Sequence, residues 1–90
     1  MARVEVYSSA MCGFCVRAKR LLEERGIPYE DFDVGADENL REDVVQRSGR
    51  RTVPQIFIDG RSIGGFEELA ALDARAELAA LTEEDVDDGV

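Results

Sequence analysis

Ninety residues suffice for one domain with a modest hydrophobic core and leave no room for separate catalytic and cofactor domains. A formal charge of −9 argues against nucleic acid and anionic membrane surfaces, which repel such a chain at long range. With no histidine, His-based general base catalysis and His-ligated metal sites are excluded, which leaves the two cysteines to carry the chemistry.

Arg3-Val4-Glu5-Val6-Tyr7 alternates polar and apolar residues of β-favouring types and reads as a first strand, stopped by Ser8-Ser9. From Gly13 to about Arg25, the apolar residues Phe14, Ala18, Leu21 and Leu22 recur at spacings of three and four. That is the pattern of an amphipathic helix, ended by Gly26. Ile27-Pro28 forces an extended turn into a second strand, Tyr29 to Val34. A strand, a crossover helix and another strand make a βαβ unit and hence a parallel pair. Asp37 caps a second helix running to about Ser48, with Leu40, Val44 and Val45 inward and Gly49 as its stop. Gln55 to Ile58 and Ser62-Ile63 are strand material around Asp59-Gly60, a turn pair that predicts an antiparallel hairpin. After Gly64-Gly65 one helix is expected from Phe66 to about Leu81, with Leu69, Leu72 and Leu78 as its buried stripe. Glu83, Glu84, Asp85, Asp87 and Asp88 then crowd the end of the chain. Residues 82–90 read as an acidic, disordered tail following a domain of residues 1–81. The fold class is α/β in the order βαβαββα, a four-stranded mixed sheet flanked by three helices.

Met11-Cys12-Gly13-Phe14-Cys15-Val16 sits where the strand pattern gives way to the helical one. Two thiols separated by two residues close a disulfide only where the backbone turns between them, and the first turn of a helix supplies that turn. The same turn leaves N–H groups unpaired and aimed at the first sulfur, which favours its thiolate and lowers its pKa below the free value of about 8.5. The bland alternative is a pair of buried small side chains. Zinc needs about four ligands, and one chain offers two thiols. No apolar run has the length of a membrane span, and Met1-Ala2-Arg3 leads into an alternating strand instead of a signal-peptide core. Cysteines at this spacing without a secretory signal read as catalytic or metal-binding, and the expected compartment is the cytoplasm.

Cys12-Gly13-Phe14-Cys15 after strand one, Thr52-Val53-Pro54 before strand three, and Ile63-Gly64-Gly65-Phe66-Glu67-Glu68 after strand four carry a joint pattern. Together they resemble the three glutathione-site motifs of the glutaredoxins, in consistent order and spacing. The resemblance implies a thioredoxin-like fold and an enzyme of electron transport and redox homeostasis. Such an enzyme exchanges disulfides between glutathione and protein disulfides or glutathionylated proteins. Cys12 would attack, and Cys15, one turn deeper into the helix where desolvation disfavours its thiolate, would resolve. The resemblance further implies a cis peptide before Pro54, with the Val53 backbone pairing to glutathione as an added strand would. Free N–H groups at Phe66 and Glu67 would hold the γ-glutamyl carboxylate, and an acidic side chain its ammonium group. Phe14, Arg41, Thr52 and Gly65 complete the implied glutathione site, with Arg51 near the proline loop. Local chemistry alone leaves a proline-broken loop with trans the commoner isomer, a flexible turn into an acidic helix start, and solvated arginines.

The chain departs from the family pattern at several positions. Ser9 stands where glutaredoxins often carry lysine, and Phe14 where tyrosine is common. Phe66 and Glu67 stand where Cys or Ser and then Asp are usual, and Gly13 where many dithiol members have proline. Relatives with a small residue at that last position more often accept a [2Fe–2S] cluster. One alternative is therefore a glutathione-bridged dimer, ligated through Cys12, that carries or senses a cluster. Another is a disulfide reductase served by a different low-molecular-weight thiol. The primary expectation is a cytoplasmic monomer that uses glutathione as reductant on protein disulfides and glutathionylated proteins, without metal, nucleic acid or membrane.

Overall fold

A computed structural model describes residues 2–82, so the acidic stretch from Glu83 to Val90, and the tail expected there, lies outside the described residues. The elements run β1 (Val4–Ser8), α1 (Gly13–Glu24), β2 (Glu30–Asp33), α2 (Glu38–Ser48), β3 (Gln55–Ile58), β4 (Arg61–Gly64), α3 (Phe66–Ala74) and α4 (Glu77–Thr82). They form one four-stranded sheet in the order β2-β1-β3-β4. β1 lies parallel to β2, as the crossover helix requires, and antiparallel to β3, which pairs antiparallel with β4.

The period-two alternation of β1 and β3 sorts the core into two layers. Val4, Val6, Ile56 and Ile58 point to one face, where Ala18 and Leu22 of α1, Leu69 of α3 and Leu78 of α4 cover them. Tyr7 and Phe57 point to the other, against Val44 and Leu40 of α2. There the Tyr7 ring stacks on Phe32 at 5.1 Å and meets Phe57 edge-on at 5.5 Å. Arg47 of α2 lies 4.4 Å over the Phe57 ring and donates to the Tyr7 hydroxyl at 3.1 Å, a cation held by an aromatic face on a buried wall. Asp37 caps α2 as expected, its Oδ1 accepting from the Leu40 N–H at 3.1 Å.

Asp59 (φ 53°) and Gly60 (φ 80°) are both left-handed, the backbone pair a two-residue type I′ hairpin demands. Across that hairpin Phe57 pairs with Ser62 but Ile56 with Gly64, so Ile63 is the extra residue of a bulge that bends β4 just before Gly64-Gly65.

The single third helix expected from Phe66 to Leu81 is instead two, broken at Arg75-Ala76 with Ala76 at φ 61°. Leu69 and Leu78 explain the break. Nine positions along an uninterrupted helix rotate a side chain by about 900°, roughly half a turn out of phase. Both leucines nevertheless sit fully buried in the same core layer, and the break swings the second back to the sheet. Thr82, assigned above to the tail, is the last residue of α4, its hydroxyl donating to the Leu78 carbonyl at 2.8 Å.

Candidate active site

Strand β1 ends at the sheet's C-terminal edge and hands the chain to Cys12, which has extended backbone angles and serves as the N-cap of α1. Its Sγ accepts the Cys15 N–H at 3.1 Å, a first-turn donor that no carbonyl of the helix can reach. Cys12 and Cys15 form a disulfide across this turn, with Cα atoms 5.2 Å apart. The two sulfurs are unequal in access. Cys15 is 1% exposed on the buried face of α1, whereas Cys12 is half-buried with its Sγ 3.7 Å from the Val53 carbonyl oxygen.

The Thr52-Val53-Pro54 loop reaches Cys12 from the head of β3, and the Val53-Pro54 peptide is cis. Gln55 fixes the loop. Fully buried, it donates through Nε2 to the Thr52 carbonyl at 2.9 Å and the Thr52 hydroxyl at 3.2 Å. Sequence reasoning takes Gln55 only as strand material; a glutamine heading an otherwise apolar strand is the signal that marks it.

The Gly64-Gly65 turn closes against this loop. A Cβ on Gly65 would stand 3.2 Å from the Pro54 carbonyl oxygen, so the absent side chain sets how near the two segments come. Gly64 has φ 119°, and a Cβ there would stand 2.8 Å from Glu68 Cγ and Oε1. Glu68 folds back to accept the Gly65 N–H at 2.8 Å, the half of a capping box that a glycine N-cap allows. Its carboxylate also takes both Nη atoms of Arg50, at 3.2 and 3.3 Å. The Arg50 guanidinium, joined by the Gly65 N–H, holds Glu68 below the usual carboxylate range. The first turn of α3 leaves the Phe66 and Glu67 N–H groups without intrahelical acceptors.

Between loop and turn runs a groove of about 330 Å³. It gathers Phe14, Thr52, Val53, Pro54, Gly65, Phe66 and Glu67, each a candidate from the sequence, and adds Arg50 and Glu68. The signal for Glu68 is its position three residues after Gly65; nothing in the sequence separates Arg50 from the neighbouring arginines. Arg41 is not part of this groove. It lies with Arg51, Glu38, Asn39 and Glu42 around a separate depression, where Arg51 bonds Glu42 at 3.3 Å. Phe14 and Phe66 stack at the groove's rim, centroids 6.1 Å apart.

Among the described residues no group of three or more His, Cys, Asp or Glu side chains converges as a metal site, and no helix is long and apolar enough to cross a membrane. The arrangement offers one accessible sulfur beside a groove with backbone donors and acceptors, and one sheltered sulfur able to displace whatever the first has bound.

The glutaredoxin family model matches residues 4–63. Over 81 residues the chain is 47% identical to Glutaredoxin 3 of Escherichia coli strain K12, covering 90% of this chain and 98% of that protein. A crystal structure of a buckwheat glutaredoxin–glutathione complex is similar at 28% identity and TM-score 0.83, over 88% of this chain and 74% of that one. The solution structure of a glutaredoxin from Brucella melitensis is similar at 36% identity and TM-score 0.83, over 96% of each chain.

Proposed function

The chain belongs to the glutaredoxin family of thiol–disulfide oxidoreductases, and we propose that it uses glutathione to reduce protein disulfides and glutathionylated proteins. The observation that carries the assignment of roles is the unequal access of the two sulfurs. Cys12 is half-buried, its Sγ 3.7 Å from the carbonyl oxygen of Val53, which lines the groove, and Cys15 is buried.

In the reduced chain the Cys12 thiolate, favoured by the Cys15 N–H, attacks one sulfur of a protein disulfide. That S–S bond breaks, one protein thiolate leaves and takes a proton from solvent, and a Cys12–protein disulfide remains. The Cys15 thiolate then attacks Cys12 Sγ and expels the second protein thiol, giving the Cys12–Cys15 disulfide. Two glutathione molecules restore the dithiol. One forms a mixed disulfide with Cys12, and the second attacks its glutathione sulfur to release glutathione disulfide. On a glutathionylated protein, Cys12 takes the glutathionyl group directly and Cys15 is dispensable.

The groove supports glutathione as the reductant. The Val53 backbone would pair with its peptide, Pro54 and Phe14 would flank its sulfur, and the Phe66 and Glu67 N–H groups would receive its γ-glutamyl carboxylate at a helix N-terminus. Similarity to a glutaredoxin solved with glutathione points the same way. Thr52 and Gly65 shape the walls, and Arg41 would act only on a ligand reaching past the groove. The reading places the protein in the cytoplasm, where a reducing glutathione pool is at hand.

Turnover of a glutathione mixed disulfide tests it. Cys12→Ser should abolish reduction and Cys15→Ser should retain it; activity surviving Cys12→Ser would overturn the roles. Failure of millimolar glutathione to reduce the oxidised protein would favour another low-molecular-weight thiol. A [2Fe–2S] cluster would need Cys12 from two chains and two glutathione thiols. Gly13, standing where many dithiol glutaredoxins have proline, is what prompts that alternative. Anaerobic reconstitution with iron and sulfide tests it, and a colourless monomer refutes it.

A further inference from the structure

We propose that Phe14, Phe66 and Arg17 form a docking shelf for the protein substrate, one that takes a segment carrying an acidic residue beside its target cysteine. The proposal rests on the reduction of glutathionylated proteins argued above. Phe14 comes from the first turn of α1 and Phe66 from the start of α3, and their rings stack with 30° between planes. The Arg17 guanidinium lies 5.7 Å from one centroid and 5.3 Å from the other, a cation seated on two aromatic rings at once. Both rings line the groove, but Arg17 does not, so the shelf begins where the groove ends.

Arg17 is held differently from most other arginines. Arg3, Arg25, Arg47, Arg50, Arg51 and Arg75 each pair with a carboxylate. Arg17 has no ion pair or side-chain hydrogen bond among the described residues, and the rings fix it in place with its donors unspent. The ring beneath it is itself open to solvent, Phe14 being 53% exposed, and Met11, next to Cys12 in the chain, is fully exposed. A stacked aromatic pair at the rim of the groove, topped by a cation without an ion pair among the described residues, describes a contact surface for a peptide. With the glutathionyl group of a glutathionylated peptide in the groove, the peptide it is joined to would lie over the Phe14 and Phe66 rings that line it, and a neighbouring acidic side chain would meet Arg17. The chain's net charge of −9 repels such a peptide at a distance, but salt screens that field beyond about 8–10 Å, and at contact the local cation decides.

Three glutathionylated peptides, identical except for Asp, Asn or Lys two positions from the cysteine, separate these effects, with glutathionyl-cysteine as a small control. The wild-type chain should use the Asp peptide about fivefold better than the Lys peptide in kcat/KM, the size of one exposed ion pair. Arg17→Glu should invert the order, high salt should flatten it, and glutathionyl-cysteine should be turned over equally by both proteins. Equal use of the three peptides, or a preference for Lys, overturns the shelf. So does a loss by Arg17→Glu that extends to glutathionyl-cysteine, since Arg17 would then act on glutathione or on the fold. Failure of the wild type to turn over glutathionyl-cysteine refutes the glutathione reading itself, a result distinct from any of these.

Discussion

Gly64→Ala should be among the most damaging single-methyl additions to the chain. The residue has φ 119°, a region that side chains rarely occupy, and forcing alanine into it costs about 1–3 kcal/mol. The new Cβ also lands 2.8 Å from Glu68 Oε1 and 2.9 Å from Glu68 Cδ. Glu68 is flexible enough to swing away, but it then gives up the Gly65 N–H at 2.8 Å and its pair with Arg50, about 1 kcal/mol more after allowance for exposure. The total is about 2–4 kcal/mol, which in a domain of this size lowers Tm by about 10–25 °C. Urea denaturation followed by circular dichroism measures it, with an unchanged m-value as the check that the same surface unfolds. Glu68→Ala removes the obstruction in advance, so Gly64→Ala should cost about 1 kcal/mol less in that background. A loss below about 0.5 kcal/mol in the wild type would refute the strain argument, and equal losses in both backgrounds would remove Glu68 from it.

Leu22→Ala empties a fully buried site where α1 meets Val4, Val6, Ile56 and Leu69, and should destabilise the fold by about 2–5 kcal/mol in the same measurement. A loss under 1 kcal/mol would mean that α1 closes the space unaided. The Tyr29 hydroxyl, pushed up to about 12 by desolvation and by its 2.6 Å hydrogen bond to Glu23, should titrate well above an ordinary tyrosine in ultraviolet difference spectra, and Glu23→Gln should bring it down. Because the folded value is the higher one, this contribution to stability is intact below about pH 10 and lost as the pH rises to about 12. A Tyr29 titration unmoved by Glu23→Gln would refute the coupling.

Most of the element order is legible because each piece carries a local cause: the alternation of β1, the Asp37 cap, the Asp59-Gly60 turn. The break in the last helical segment is not. Leu72-Asp73-Ala74-Arg75-Ala76-Glu77 contains no glycine or proline, and all its residues but Asp73 are good helix formers. What breaks it is a tertiary demand, that Leu69 and Leu78 share one core layer from positions a straight helix would set on opposite sides. The phase conflict is present in the sequence, but only a known sheet position turns it into a conclusion. The site divides in the same way. Cys12, Cys15 and the proline and glycine loops are marked by residue types with special backbone chemistry. Arg50, Glu68 and Gln55 matter through the segments they tie together, and Arg17 through rings from two distant parts of the chain.

The burial of Cys15 has a consequence outside turnover. Peroxide arriving from solvent should meet Cys12 first, since Cys15 is buried on the core-facing side of α1. A sulfenic acid formed on Cys12 has the Cys15 thiol within bonding reach, and the two should condense to the disulfide with loss of water before a second oxidant adds. Cys15→Ser, although expected to keep its activity on glutathionylated proteins, discards this protection, so its Cys12 should pass to the irreversible sulfinic state under oxidant doses that the two-cysteine chain survives.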